Sequence, residues 1–370
     1  MGIVRAESRA LGERRVPDGA RRGLLSLWVG VCVCIAGVGL GCSRSAGALL
    51  PLDAPIPDHF AKSTSLDIGD PTVQLQLRLT GGLDSLPFTP HWQNISGGPQ
   101  TIEAFRAGVL DGGSVGDTPP IHALFTGLDV KIITVQVRTK PAFQLALAPG
   151  VSAASIEALR GKRIAYSPGQ AQGALVLRVL AQAGLSRDDV HLVEILSSEF
   201  KDALGSRQVD VAPLGGTNLR RYLREYAPDG GSSIPHGVAD GYSFFYVLTS
   251  TLGEPDKAAA LREYARIRTR ALLWQQQHPD EWIESYYVKD QGLTPDEGRY
   301  VVDNLGQYDY PRDWSEAITR TQQTIDLLAQ ASGQKPFDAA RLFDRRFEGL
   351  SADVADEVFG RASQLVESGQ

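Results

Sequence analysis

Cysteine is almost absent from this chain of 370 residues, because it occurs three times and only within the first 42 positions. Cys32, Cys34 and Cys42 lie in or directly after an uncharged stretch from Gly23 to Gly41. The remainder of the chain has no thiol that could pair or bind a metal ion. Structural disulfides and thiolate metal sites are therefore excluded from that remainder.

The chain also lacks an excess of positive charge and lacks the common motifs for metals and nucleotides. Its 37 Lys and Arg residues oppose 43 Asp and Glu residues and leave a net charge of -6, so we expect no nucleic-acid partner. The histidines have neither the spacing of H-E-x-x-H nor a cysteine companion. They are His59, His91, His122, His191, His236 and His278. No G-x-G-x-x-G or P-loop is found, so we predict no metal and no cofactor.

The first 42 residues have the pattern of a bacterial export signal. An arginine-bearing segment precedes the stretch from Gly23 to Gly41, and Gly39-Leu40-Gly41-Cys42 resembles the lipobox of lipoproteins. We predict a signal peptide over 1–42, a lipid anchor at Cys42, and a location on the outer face of the cytoplasmic membrane. An uncleaved membrane anchor is the alternative, because the apolar stretch is nearly long enough to span a bilayer. General and twin-arginine export both stay open.

The body of the chain alternates strand-like and helix-like patterns. Residues 43–72 are rich in Ser, Pro, Ala and Asp and predict a flexible tether. The strict alternation in Val73–Leu79 predicts the first strand. Further strands are predicted at Val130–Val137, Phe143–Leu147, Arg163–Tyr166, Val190–Ile195, Val209–Leu214 and Phe244–Leu248. Strands that alternate with helices indicate an α/β fold with largely parallel sheets.

The strand patterns stop after Pro255. Lys257–Gln277 and Arg312–Ala331 have the apolar spacing of helices, and Gly333 ends the second. The C-terminal third is therefore predicted to be helical and to pack on the first lobe.

Four Gly-rich polar corners are predicted to join a strand to the next helix. They begin at Gly81, Leu110, Tyr166 and Leu214. Ligands of open parallel sheets bind at such corners, where helix N-termini offer free N–H groups and partial positive charge to an anion. The candidate ligand-binding residues are Gly82, Leu83, Asp84, Trp92, Gly116, Asp117, Thr118, Ser167, Gln170, Gln172, Gly173, Gly215, Thr217, Asn218 and Tyr242.

A purely structural role is the alternative for each corner. Gly, Pro and Asp occur at strand-helix turns in any α/β protein, because they form the turn itself. Asp117 in particular has two interpretations, since it either caps the helix that starts near Thr118 or contacts a ligand.

A family resemblance rests on two stretches, Gly97-Gly98-Pro99-Gln100-Thr101-Ile102-Glu103-Ala104-Phe105-Arg106-Ala107-Gly108 and Gly116-Asp117-Thr118-Pro119-Pro120-Ile121. They resemble the substrate-binding proteins of aliphatic sulfonate ABC importers, within the nitrate, taurine and sulfonate group. The likeness covers most of the chain from Val73 to Phe347. It implies a two-lobed periplasmic-binding-protein fold of type II topology, which closes on a small organic anion and delivers it to an ABC permease.

The resemblance also implies a division of the chain. Lobe 1 takes residues 73–145 and the helical return 249–350, lobe 2 takes 146–248, and 351–370 form a C-terminal helix or tail. The loops Gln170–Gly173 and Gly215–Asn218 depart from the family pattern, so a larger or differently shaped ligand is an alternative to a sulfonate.

Two other functions stay open from the sequence. The same scaffold resembles the pyrimidine-precursor synthases of thiamine biosynthesis and their binding-protein relatives, so the ligand is either an organic anion or a planar heterocycle. Gly112-Gly113-Ser114-Val115-Gly116 matches G-x-S-x-G, which would make Ser114 the nucleophile of a lipid-anchored serine hydrolase. No histidine is marked out as its partner, so we expect a binding protein and not an enzyme.

Overall fold

A computed structural model describes residues 49–95 and 97–360 of the chain. The predicted signal peptide, the lipid anchor at Cys42 and the start of the predicted tether lie outside these residues. Within them, no helix is both long and apolar enough to cross a membrane.

The strands of the described residues form two sheets. They are β1 Ser65–Gly69, β2 Thr89–Trp92, β3 Gly112–Gly116, β4 Val130–Arg138, β5 Phe143–Leu147, β6 Arg163–Tyr166, β7 His191–Glu194, β8 Val211–Gly215, β9 Ser232–Ile234, β10 Tyr242–Leu248 and β11 Tyr308–Asp309.

Helices pack around both sheets. The α-helices are α1 Pro71–Leu79, α2 Gly98–Arg106, α3 Pro119–Phe125, α4 Ala171–Gln182, α5 Phe200–Gly205, α6 Gly216–Tyr226, α7 Thr249–Leu252, α8 Pro255–Gln277, α9 Pro279–Trp282, α10 Pro295–Leu305, α11 Ser315–Ser332 and α12 Leu350–Phe359. A π-helical segment, Ile283–Asp290, joins α9 to the loop before α10. Short 3-10 helices are Gly82–Ser85, Glu157–Leu159, Arg187–Asp189, Ser197–Glu199, Ala227–Asp229, Ala339–Leu342 and Arg345–Phe347.

Each sheet is the centre of one lobe, which confirms the predicted two-lobed α/β fold. The strand order is β11-β4-β10-β3-β1-β2 in lobe 1 and β7-β6-β8-β5-β9 in lobe 2. Strands β2, β1 and β3 are parallel, as are β7, β6 and β8. The other pairs are antiparallel, so the sheets are mixed where mainly parallel sheets were expected. Only parallel strands need a crossover connection, which is usually a helix. The parallel strands β3, β6 and β8 are the ones that lead through a corner into a helix.

The chain crosses between the lobes at residues 139–142 and 235–241. Strand β5 pairs only within the sheet of lobe 2, and β10 pairs with β3 and β4 in lobe 1. The predicted boundaries after residues 145 and 248 are therefore wrong, because the first falls inside β5 and the second assigns β10 to lobe 2.

The first strand of the sheet is not the predicted one. Val73–Leu79 lies within α1, which begins with Pro71 at its first position and buries Val73, Gln76 and Leu77. That burial has the i, i+3, i+4 spacing of a helix face, although the apolar residues also alternate. The real first strand, β1, lies inside the predicted tether, with Leu66 and Ile68 in the core. The prediction of a flexible tether is therefore wrong for residues 65–72.

Candidate functional site

A cleft of about 270 Å³ lies between the lobes at the carboxyl ends of the parallel strands. Such edges are the usual ligand sites of open α/β sheets. Lobe 1 supplies Gly97, Gly98, Val115, Gly116 and Pro119, and lobe 2 supplies Gln170, Ala171, Gln172 and Ser197. The two crossings and the strand starts that directly follow them supply Ala142, Phe143, Asp240, Tyr242 and Ser243.

The helices α2 and α4 begin at this cleft. Gly98 is the first residue of α2, and Ala171 is the first residue of α4. The N–H groups of a first helical turn have no partner within the helix, and the helix dipole places partial positive charge there. Two helix N-termini, one from each lobe, therefore offer hydrogen-bond donors to the same space.

The lobes contact each other closely across the cleft. A Cβ atom added to Gly116 would lie 2.8 Å from the Cβ of Ala171, and one added to Gly169 would lie 2.9 Å from the His122 ring. Burial, and then the charge of Arg106, lower the pKa of His122. The His122 ring, which contacts lobe 2, is therefore neutral at neutral pH. The two close contacts show that the lobes are closed on each other.

The orientation of the Gln170 amide follows from its partners. Its Oε1 accepts hydrogen bonds from the Ser167 hydroxyl and, at 3.2 Å, from the backbone N–H of Ser197. A backbone N–H only donates, so the oxygen of the amide must face Ser197. The Nε2 group then lies on the side of Gly97, 3.7 Å from the Cβ position of that glycine. Gln170 thus presents a donor to the cleft.

Charge in the cleft is low. None of the described residues that line the cleft is a lysine or an arginine. Among these lining residues, Asp240 alone is charged. The Asp240 carboxylate accepts the backbone N–H groups of Ala142 at 2.8 Å and Phe143 at 2.9 Å. Val238 donates to Nδ1 of His236, so Nε2 of His236 carries the proton and donates to the Phe143 carbonyl at 3.0 Å. Asp240 and His236 therefore tie the two crossings together.

Asp117 links the lobes and does not cap a helix. It precedes α3, whose first turn has no side-chain cap, so the capping interpretation is wrong. Its Oδ1 accepts from the Thr118 hydroxyl at 2.8 Å, and its Oδ2 forms a 2.6 Å ion pair with Arg178 of α4 in lobe 2. Asp117 lines a second space beside the cleft, the flank cavity, which also contains Arg178, Tyr242 and Arg320.

We expect Asp117→Ala to weaken ligand binding by about tenfold with little change in thermal stability. The pair with Arg178 joins the lobes only when they are closed, and a hydrogen bond to a charged group contributes about 1.5–3 kcal/mol. Calorimetric titration with a bound solute measures the change. Glu225→Ala is the control, since it removes the Lys201–Glu225 pair, which lies within lobe 2. Equal losses in both variants, or none in either, would contradict a role in closure.

Several predicted residues lie away from the cleft. Gly82, Leu83 and Asp84 follow the C-terminal end of α1 and not a strand, so their assignment to a corner is wrong. Trp92 packs its ring edge-on against Tyr264, with centroids 6.3 Å apart. The corner Gly215–Asn218 does join β8 to α6. Gly215 lies against Ala142 and Phe143, beside the cleft, whereas Gly216 faces Val301 and Leu305 of α10. Thr217 and Asn218 do not line the cleft.

The other predicted residues lie in or beside the cleft. Gly116, Gln170, Gln172 and Tyr242 line it directly. Thr118 and Ser167 are buried behind the cleft. The Thr118 hydroxyl donates to Asp117, which lines the flank cavity. The Ser167 hydroxyl donates to Gln170, which lines the cleft. At Gly173 a Cβ atom would lie 2.2 Å from the Ser167 carbonyl oxygen, so this glycine permits the turn into α4.

The sequence interpretation missed the lining residues in and directly after the crossings, which are Ala142, Phe143, Asp240 and Ser243. No local pattern marks them, because they reach the cleft only when the two sheets come together. It also missed Gly97, Gly98 and Ser197. The pair Gly97-Gly98 was visible in the stretch that carries the family resemblance, directly before Pro99 of α2.

Ser114 does not form a nucleophile elbow. It lies in the middle of β3, and α3 begins only at Pro119. Its hydroxyl donates to Asp70 at 2.7 Å and accepts from Arg268 at 3.0 Å. A nucleophile elbow places the serine between a strand and the helix that directly follows it. The hydrolase interpretation of the G-x-S-x-G motif is therefore wrong. Among the described residues, no group of His, Asp or Glu side chains is placed to hold a metal ion.

Two α/β lobes, joined by two crossings and closed on a cleft of ligand size, define the architecture of the periplasmic binding proteins. A family model described as NMT1/THI5 like matches residues 96–281, which is half of the chain. The chain belongs to the NMT1/THI5-like family.

Two relatives of the chain carry names that state what they bind. A protein of Escherichia coli (strain K12), whose name assigns it to aliphatic sulfonate binding, is 31% identical over 119 residues, or 32% of this chain and 37% of that protein. A protein of Bacillus subtilis (strain 168) with the same name is 25% identical over 262 residues, or 69% of this chain and 76% of that protein. The alignment thus spans little more than a third of the first relative.

A solved structure shares the fold. The alkanesulfonate-binding protein SsuA from Xanthomonas axonopodis pv. citri, bound to MOPS, matches with a TM-score of 0.66 and 21% identity. The match covers 78% of this chain and 98% of that protein. The resemblance to sulfonate-binding proteins that the sequence indicated is confirmed by these relatives.

Proposed function

We propose that this protein is an exported solute-binding protein that captures a small organic anion, foremost an aliphatic sulfonate, and delivers it to an ABC import permease. One observation carries the proposal. The cleft offers the N-termini of α2 and α4 and the Nε2 group of Gln170, while none of its described lining residues is a lysine or an arginine.

Neutral donors of this kind suit a monoanion. A sulfonate carries one permanent negative charge on three oxygens, each of which accepts hydrogen bonds. Helix N-termini bind such groups through N–H donors and the helix dipole, without a counter-charge. Val115 and Phe143 give the same cleft an apolar surface for an alkyl chain. The names of the relatives in E. coli and B. subtilis support a sulfonate as the first choice.

The proposed role is binding and not catalysis. The serine of the G-x-S-x-G motif is held by Asp70 and Arg268, so it is not available as a nucleophile. Affinity would then be set by preorganised donors and by closure of the lobes. Export, cleavage before Cys42 and attachment to the membrane by a lipid complete the proposal, together with a permease as the partner.

The second candidate is a planar heterocycle such as a pyrimidine precursor of thiamine. Phe143 and Tyr242 both line the cleft and offer aromatic surfaces to a ring. Gln170, Gln172 and Ser197 could pair with ring nitrogens and exocyclic groups.

A thermal-shift screen followed by calorimetry tests the proposal. The panel contains alkanesulfonates, taurine, sulfate, nitrate and thiamine-type pyrimidines. A ligand that binds only the native state raises the melting temperature by mass action. We expect a shift with alkanesulfonates. A shift with pyrimidines alone would favour the second candidate, and no shift with any compound, for a protein that melts cooperatively, would overturn both.

We expect Gln170→Glu to weaken sulfonate binding by about 100-fold or more. The change removes the Nε2 donor and places a carboxylate beside the bound anion, and hydrogen bonds to charged groups are worth about 1.5–3 kcal/mol each. Calorimetry with an alkanesulfonate measures it. Gln182→Glu makes the same change at the exposed far end of α4 and serves as the matched control. Wild-type affinity in Gln170→Glu would refute the donor role.

A further inference from the structure

The flank cavity has the size of a second binding space. Its volume is about 330 Å³, compared with about 270 Å³ for the cleft. It lies between α4 of lobe 2 and α11 of lobe 1. Val238, Phe244 and Leu327 give it apolar walls, and Arg178 and Arg320 bring guanidinium groups to it from the two lobes.

The charges of the flank cavity differ from those of the cleft. Among the described residues, its charged lining consists of Arg178, Arg320 and Asp117, so positive charge exceeds negative charge by one. Asp117 pairs with Arg178 at 2.6 Å. Arg320 is paired with Glu316, the residue four positions earlier on α11, which is not part of the lining. The Arg320 side chain is 36% exposed, and its guanidinium carbon lies 5.8 Å from the Tyr242 ring centre.

The cleft and the flank cavity adjoin along the crossings. Tyr242 lines both. Gly116 lines the cleft, and the next residue, Asp117, lines the flank cavity. Likewise, Asp240 lines the cleft, and its neighbour Ala239 lines the flank cavity. The two spaces therefore adjoin at Tyr242. Burial, and then the charge of Glu316, raise the pKa of Tyr242 to about 12, so its hydroxyl is a neutral group at this wall.

We propose that the two spaces hold the two ends of one elongated dianionic substrate. This inference rests on the proposed function. The sulfonate group occupies the cleft, a short apolar spacer passes beside Tyr242, and a second anionic group, a carboxylate, binds Arg320 and Arg178. Guanidinium groups form charge-assisted hydrogen bonds to carboxylates, which are stronger than those of neutral donors. The substrate class is that of ω-carboxyalkanesulfonates.

Calorimetry with two matched ligand series tests this inference. One series consists of plain alkanesulfonates from two to five carbons, and the other carries a terminal carboxylate at the same lengths. We expect at least one carboxylate ligand to bind tenfold or more tightly than its plain counterpart. Arg320→Gln should bring that affinity ratio close to one, and Arg270→Gln, at an exposed pair with Glu357, should leave the ratio unchanged.

A second variant separates binding from folding. Gln323→Glu adds a negative charge at an exposed lining position of the flank cavity, and it should also lower the affinity ratio. Plain sulfonates that bind as tightly as the carboxylate series at every length would overturn the inference and leave the proposed function standing. No binding by either series would overturn the proposed function itself.

Discussion

Replacing Gly116 with alanine is expected to weaken solute binding by about tenfold or more. The added Cβ atom would lie 2.8 Å from the Cβ of Ala171, which belongs to the other lobe. Overpacking of this kind costs about 1–3 kcal/mol, and about 1.4 kcal/mol corresponds to a tenfold change in affinity. Because the contact forms only when the lobes meet, the variant should oppose closure and leave each lobe folded. Calorimetry gives the affinity and thermal melting gives the stability.

The partner residue provides the control. Ala171→Gly removes the methyl group on the other side of the contact, so the double variant Gly116→Ala/Ala171→Gly should regain most of the lost affinity. Glycine near a helix start costs at most about 1 kcal/mol, which sets the limit of the recovery. If the double variant binds as weakly as Gly116→Ala alone, the loss has another origin.

The Arg268→Met variant is expected to lose about 3–5 kcal/mol of unfolding free energy, which is the cost of leaving one member of a buried ion pair alone. Arg268 and Asp70 pair at 2.9 Å with side chains that are 3% and 4% exposed. The guanidinium also donates to Gln136 at 2.9 Å, and Tyr264 donates to Asp70 at 3.2 Å. Urea unfolding monitored by circular dichroism measures the loss.

Two comparisons sharpen this experiment. Asp70→Asn/Arg268→Met removes both charges, so it should recover part of the stability that the single variant loses. Arg270 lies on α8, the helix that also carries Arg268, and forms an exposed pair with Glu357 of α12. Arg270→Met breaks this pair, and surface pairs contribute about 0–1 kcal/mol. A loss in Arg268→Met no larger than that in Arg270→Met would show that the buried pair does not stabilise the fold.

Buried strands were predictable from the sequence because their patterns are local. Strands β5 and β6 were predicted with the bounds that the structure has, and both consist largely of buried apolar residues. Helix α8 was predicted to within two residues of its start. The apolar residues of Val73–Leu79 fit the two-residue period of a strand, and its buried residues fit the period of a helix. Pro71, which is typical of a helix start, was the local signal that favoured the helix. The Gln76 partner that permits its burial is Gln275, far along the chain.

The candidate site was predictable where a strand was recognised before its corner. Gln170 follows β6, which was predicted with its observed bounds, and Gly116 ends β3 inside the corner predicted to begin at Leu110; both residues line the cleft. Gly82–Asp84 failed because the strand assigned before them is a helix. The pairing of Asp117 with Arg178, 61 positions later, depends on how the lobes meet, and no local pattern encodes that.

The contact of α10 with lobe 2 differs in kind from the contact between the lobes beside α11. Gly216 of α6 packs against Val301 and Leu305, and Arg224 pairs with Glu297 at 2.9 Å, so this flank is held by apolar contact as well as by charge. Beside α11, by contrast, the Asp117–Arg178 pair is polar and lines the flank cavity. Water can replace the partners of an ion pair but not those of an apolar contact. We therefore expect solute to enter and leave past α11, with the α10 flank serving as the fixed side of the passage.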